Sequence, residues 1–181
     1  MSNSIFRILT LLILAAGSAQ AQLFITQTGE TSFFSKTPME NISAVNKKVG
    51  SVLNTQTGEI VVRMTMTDFS FPNKLMQEHF NENYVESEKY PYAMFRGKIQ
   101  PIPDLNKPGT YDVSAVGTFD LHGVKKERTL NGKLTVQGDK ITLQSDFQVA
   151  LVDHKIEVPK LVFAKIAEVI DVKNQFTLTK K

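Results

Sequence analysis

Gly117-Thr-Phe-Asp-Leu-His-Gly-Val-Lys-Lys-Glu-Arg128 is the stretch whose reading decides the fold. Extended back to Tyr111, it places Tyr111, Val113, Ala115, Gly117, Phe119 and Leu121 on one face and Asp112, Ser114, Thr118, Asp120 and His122 on the other, with only Val116 out of phase. Period-two alternation of this kind marks a strand with one face buried. His122-Gly123 then supplies a tight turn, and a second strand follows from Val124.

The same signature recurs outward in both directions. Ile141, Leu143, Phe147, Val149 and Leu151 share one face, as do Ile170, Val172, Phe176 and Leu178. Ile60, Val62, Met64 and Met66 alternate and then change phase to Phe69 and Phe71, which predicts a bulge or sharp bend near Thr67-Asp68 because register has a period of two. Turn signals at Thr57-Gly58, Pro108-Gly109 and Gly138-Asp139 separate the runs. The pattern predicts eight main strands near 30–37, 41–55, 58–71, 92–102, 109–121, 125–137, 140–150 and 167–179, with a short extra strand at 23–27. Serial hairpins with one apolar face make an antiparallel up-and-down barrel or a sandwich. An eight-stranded barrel is either filled by its own side chains or holds one small ligand.

Two helical interruptions are expected. Asn73 caps the first, which puts Leu75, Met76, His79 and Phe80 on one side and Gln77, Glu78, Asn81 and Glu82 on the other. Pro159 opens the second, with Leu161, Val162, Lys165 and Ile166 on one stripe. Both are too short to stand without the sheet.

Composition narrows the function. Residues 1–21 carry Arg7, an apolar run from Ile8 to Ala16 and a small-x-small site at Ala19-Gln20-Ala21, the order expected of a signal peptide. The apolar run is shorter than the ~20 residues that span a bilayer, so cleavage rather than stable membrane insertion is expected. The remainder, 22–181, is read as one domain, periplasmic or secreted. With no cysteine in the chain, its stability rests on packing and backbone hydrogen bonds. A formal charge of +3, with basic residues in short scattered clusters, gives no footprint for nucleic acid.

Catalytic and metal signatures are weak. Asp120 and His122 lie two apart on a strand, but no further ligands accompany them, so no metal is expected. His154 follows Asp153 in a loop, and Glu86 and Glu88 read as surface residues. The chain has no Gly-x-Ser-x-Gly elbow, no His-Glu-x-x-His and no glycine-rich phosphate loop, and it is read as a non-enzyme without catalytic residues. What stands out is a crowd of aromatic and methionine side chains between Phe69 and Phe95, suited either to an adaptable apolar surface or to a plug in a filled barrel.

Two motifs give this crowd a context. Lys89-Tyr90-Pro91 with Phe95 resembles the Tyr-Pro-x-x-x-Phe lead-in to a barrel strand in the YceI-like family. Gly117-x-Phe119-x-Leu121-x-Gly123-Val124-x-Lys126 resembles that family's Gly-x-Leu-x-Leu-x-Gly-Val-x-Lys hairpin. The resemblance implies a lipocalin-like eight-stranded barrel whose apolar tunnel holds a polyisoprenoid or isoprenoid-quinone-type lipid outside the cytoplasm, with no other cofactor. It implies that Leu75, Met76, His79, Phe80 and Tyr84 on and after the first helix approach the lipid. Phe69, Phe71, Tyr92 and Phe95 would enclose it from the adjoining segments, and Phe119 and Phe147 from two further strands. The family often has an Arg-Asp pair shortly before a His-Leu on this helix; here Met76-Gln77 precedes His79-Phe80, so the lipid's head group is left open. The rivals are a filled barrel acting through its surface as a stress-related or adhesion partner, and an esterase or isomerase at the barrel mouth. The oligomeric state is also left open.

Cleavage is expected after Ala21. N-terminal sequencing of the exported protein should begin at Gln22, and a mature form retaining residues 1–21 would contradict the assignment.

Overall fold

Alternation along each strand dictates which side chains the sheet encloses when it closes on itself. A computed structural model describes residues 22–159 and 165–181. The expected signal peptide and the body of the helix expected from Pro159 lie outside the described residues. Eight strands, β1 (Leu23–Lys36), β2 (Asn41–Asn54), β3 (Glu59–Thr65), β4 (Tyr92–Gln100), β5 (Gly109–Leu121), β6 (Val124–Gln137), β7 (Lys140–Ala150) and β8 (Val169–Lys180), form a closed barrel in sequence order. Each pairs antiparallel with the next, and β8 pairs with β1. The expected fold class is therefore the observed one.

Two departures from the expected strands have physical reasons, and one pairing is incomplete. The extra strand at 23–27 and the first main strand are one strand, β1, whose pairing shifts register around Gly29. The strand expected at 58–71 stops at Thr65, because Met66–Asp68 form a single 3-10 turn that accounts for the phase change before Phe69. Beyond that turn the chain meets β2 again at the Val45–Ser70 bridge, and just before it the buried Asn46 of β2 donates from Nδ2 to the Thr65 carbonyl at 2.9 Å. Finally, β6 and β7 pair only between Gly132–Gln137 and Lys140–Ser145. Above Gly132 the wall is joined by side chains instead, including Arg128, which donates to the Gln148 carbonyl, and a Lys126–Asp153 ion pair at 3.8 Å.

The interior is not uniform along its axis. At the end holding the β2–β3 and β6–β7 turns, Leu53, Leu134, Val136, Ile141 and Leu178 are buried against one another and form a solid floor. Fully burying side chains of this size stabilises the fold by ~1.5–3 kcal/mol each. The opposite end carries the 3-10 turn and the helix α1 (Lys74–His79), which continues as a π turn over Phe80–Tyr84.

Glycines of the decisive hairpin work by close approach. Gly117 faces Gly97 across β4 and β5, and a Cβ on Gly117 would strike the backbone of Arg96 and Gly97. Gly123 has φ +70, and its Cβ would lie 2.5 Å from Cε1 of Tyr90, the tyrosine of the Tyr-Pro motif. The two family-like motifs are thus packed on each other at one turn.

Gly138 offers a control, since its φ is +57 and nothing lies within 4 Å of its Cβ position. Gly138→Ala should destabilise by about 1 kcal/mol for the left-handed backbone alone, and Gly123→Ala by clearly more in denaturant unfolding. Equal losses would contradict the Tyr90 packing.

Candidate functional site

Between the solid floor and the helix the barrel is hollow. A cavity of about 390 Å³ occupies the helix end. Its walls are mainly apolar: Met64 and Ala93 from β3 and β4, Val149 from β7, and Ile170 and Val172 from β8. Phe33, Phe69, Phe71 and Phe80 form a continuous ring cluster in one wall, with Phe80 between 5.1 and 5.7 Å from each of the other three. Offset and tilted arrangements at these spacings favour aromatic pairs.

Local sequence explains how α1 reaches the cavity. Asn73 caps it as expected, its Oδ1 accepting from the Leu75 N–H at 2.8 Å. Leu75, Met76, His79 and Phe80 all line the cavity from this helix. The following π turn, closed by the Val85 N–H donating to the Phe80 carbonyl at 3.0 Å, brings Tyr84 and Val85 to the same wall. Burial pushes the Tyr84 phenol above its ordinary pKa. Gln77, on the other side of the helix, has a tethering role, since its Oε1 accepts from the Phe71 N–H at 3.3 Å.

Of the residues expected from sequence, Phe69, Phe71, Leu75, Met76, His79, Phe80, Tyr84, Phe119 and Phe147 converge on this cavity. Phe95 points inward but lines a second, smaller cavity of about 70 Å³ nearer the floor. Tyr92 is a correction: it lies on the outside of β4, 44% exposed, with the Arg63 guanidinium 3.8 Å from its ring centre. Tyr92 and Phe95 are three apart on one strand, so only one of them can face in.

Several wall residues escaped the sequence reading of the site. Phe33 is the main one, because the inward face of β1 also carries Thr31 and Ser35 and so lacks an apolar stripe. Both hydroxyls are satisfied internally: Thr31 Oγ1 donates to Asn174 Oδ1 at 2.7 Å, and Ser35 Oγ accepts from the Ala167 N–H at 2.8 Å. Polar groups otherwise gather toward the rim, where Glu40 and Lys165 pair at 3.8 Å near Asn73 and His79.

Beside the cavity, three loops meet at two histidines. The His122 backbone is left-handed at φ 53, which directs its ring to Glu86 and the His154 carbonyl instead of continuing the alternation from Asp120. Nε2 lies 2.7 Å from Glu86 Oε2, Nδ1 lies 3.0 Å from the carbonyl, and Tyr90 packs edge-on. Glu86 is therefore tied to a turn across the barrel end and is more than a surface residue. His154 is wholly buried against Phe119, with Nδ1 within 3.2 and 3.3 Å of the Leu121 and Val124 carbonyls and Nε2 unpartnered. Burial lowers its pKa, because a charged ring there would lose water. Among the described residues no group of three or more His, Asp or Glu is placed to hold a metal, and no helix is long and apolar enough to cross a membrane.

Comparison with known proteins agrees with this architecture. The family model for the YceI-like domain matches residues 20–178. A polyisoprenoid-binding domain from Saccharophagus degradans, implicated in plant cell wall breakdown, superposes with a TM-score of 0.76 at 14% identity, covering 90% of this chain and 100% of that one. BcnA of Burkholderia cenocepacia gives 0.65 at 13% identity over 83% and 96% of the two chains. A Campylobacter jejuni YceI protein gives 0.59 at 16% identity over 75% and 83%. Identities this low speak for the fold alone. No curated protein matches the sequence.

The buried His154 makes stability depend on pH. Its folded pKa is depressed, so its contribution is complete above the ordinary value of 6.5 and is lost as pH falls below it toward the folded value. His154→Phe should flatten the fall in unfolding free energy below pH 6.5 relative to wild type. Parallel curves for the two proteins would contradict a neutral, buried His154.

Proposed function

The chain belongs to the YceI-like family, and from that premise we propose that it binds a polyisoprenoid or isoprenoid-quinone-type lipid in its helix-end cavity and stores or carries it outside the cytoplasm without transforming it. The observation that carries this is the cavity itself: about 390 Å³ of mainly apolar wall in a barrel whose floor is solid. Cavities of this size and lining are typical small-ligand sites. The polyisoprenoid-binding neighbour from Saccharophagus degradans supports the same class of ligand.

Energetics are adequate. At ~0.8 kcal/mol per buried CH₂, each five-carbon unit contributes about 4 kcal/mol of gross transfer energy. A few units then exceed the costs of association and ordering. A hollow helix end favours a carrier over a filled barrel that acts only through its surface. The signal-like segment 1–21 supports a place outside the cytoplasm.

Protein purified from its host without detergent should release an isoprenoid-type lipid into an organic extract read by mass spectrometry. Phe80→Asp or Met76→Asp should abolish that recovery while circular dichroism shows a folded barrel, since an unpaired charge in an apolar site is strongly disfavoured. Glu78→Gln, on the exposed side of the helix, should leave it unchanged. A folded Phe80→Asp protein that still carries the lipid, or a wild-type protein that never carries any, would overturn the assignment.

A further inference from the structure

Two cavities inside the barrel share Met64, Phe119 and Phe147 as wall residues. These three side chains separate the 390 Å³ space at the helix end from the 70 Å³ space beneath it, where Ile60, Val62, Phe95, Ile99 and Phe176 close in toward the floor. The partition is braced from both sides. The Phe119 and Phe147 rings meet edge to face at 5.9 Å and 83°. Behind Phe119 stands the buried His154 ring at 5.3 Å, and beside Phe147 stands Arg128, which bridges the unpaired part of the β6–β7 wall.

We propose that the Met64–Phe119–Phe147 partition is a stop that sets how much of an isoprenoid chain the protein encloses. An apolar cavity of about 150 Å³ holds one benzene ring. On that scale the 390 Å³ space takes roughly sixteen carbons, or about three isoprene units. Units beyond the third remain at the rim, among Glu40, Asn73, His79 and Lys165, where their transfer out of water is incomplete. The inference rests on the isoprenoid-binding function proposed above and adds a length preference to it. Removing the Phe147 ring frees roughly one further benzene volume, ~150 Å³, and joins it to the lower 70 Å³. Together these admit about one to two more units.

The test is equilibrium binding of linear prenols of increasing length to the purified full-length mature protein, with wild type compared to Phe147→Ala and the milder Phe147→Leu. For wild type, affinity should rise at least about tenfold with each unit up to the third and then change by less than about threefold per unit. In folded Phe147→Ala the break should move out by at least about one unit, and in Phe147→Leu, whose side chain refills most of the ring volume, by less than about one. The wild-type profile is decisive even if Phe147→Ala proves unstable. Affinity that climbs steadily past the third unit, or a break that stays in place in folded Phe147→Ala, overturns the stop while leaving lipid binding intact. Failure of every prenol to bind overturns the lipid function and the stop with it.

Discussion

Everything in this molecule depends on the two-residue pleat of a sheet that closes on itself. Closure removes most free edges, the upper parts of β6 and β7 excepted, and leaves each strand no freedom to choose its inward set. Once β5 faces in with Tyr111, Val113, Ala115, Phe119 and Leu121, the register through β4 and β6 fixes which residues of the neighbours do the same. What the sequence then controls is side-chain volume along the barrel axis. Leu53, Leu134, Ile141 and Leu178 fill the floor end. At the other end the inward positions hold Ala93, Thr31 and Ser35 beside the larger rings, and the space left over becomes the cavity. The alternatives of a filled barrel and a hollow one are both realised, one at each end.

The hollow end needs a roof that neither the floor nor the ladder hydrogen bonds supply. Six helical residues in α1 have no independent stability. They are held by the Asn73 cap, by the tie from Phe71 to Gln77 and by Phe80 sinking among the other rings. Among the described residues, the three non-glycine residues with left-handed backbone, Glu86, His122 and Lys155, fall in the three loops that meet at the His122–His154 cluster. Such conformations cost ~1–3 kcal/mol each and persist where surrounding contacts determine them. The cluster fastens the segment after the helix to the β5–β6 turn and to the loop after β7, where the β6–β7 ladder has run out. The same His154 braces Phe119, so the fastening of the wall and the depth of the cavity share one residue.

How much of this is legible in sequence varies by element for identifiable reasons. β5, β7 and β8 alternate cleanly and appear where expected. β1 reads as two pieces because Gly29 and the inward Thr31 and Ser35 dilute its apolar face, and the same dilution hides Phe33. The strand from Ile60 reads as longer than it is because a 3-10 turn and a bulge produce the same phase change. The helix stripe from Leu75 to Phe80 was legible because its period is local. Tyr92 belongs to the aromatic crowd by composition, but strand parity with the inward Phe95 puts it outside. The Glu86–His122–His154 cluster was illegible, since its members are separated by more than thirty residues and meet only through the barrel's closure.

The central claim is that the helix end of this barrel is built around an isoprenoid chain. The most direct measurement is a crystal structure of the protein purified without detergent from its own host. Continuous, elongated electron density in the cavity, running from the rim near Glu40 and Lys165 along Phe80 and ending at Met64, Phe119 and Phe147, is the predicted result. Density for ordered water alone, or a Phe80 side chain that has dropped into the cavity and filled it, would contradict the account.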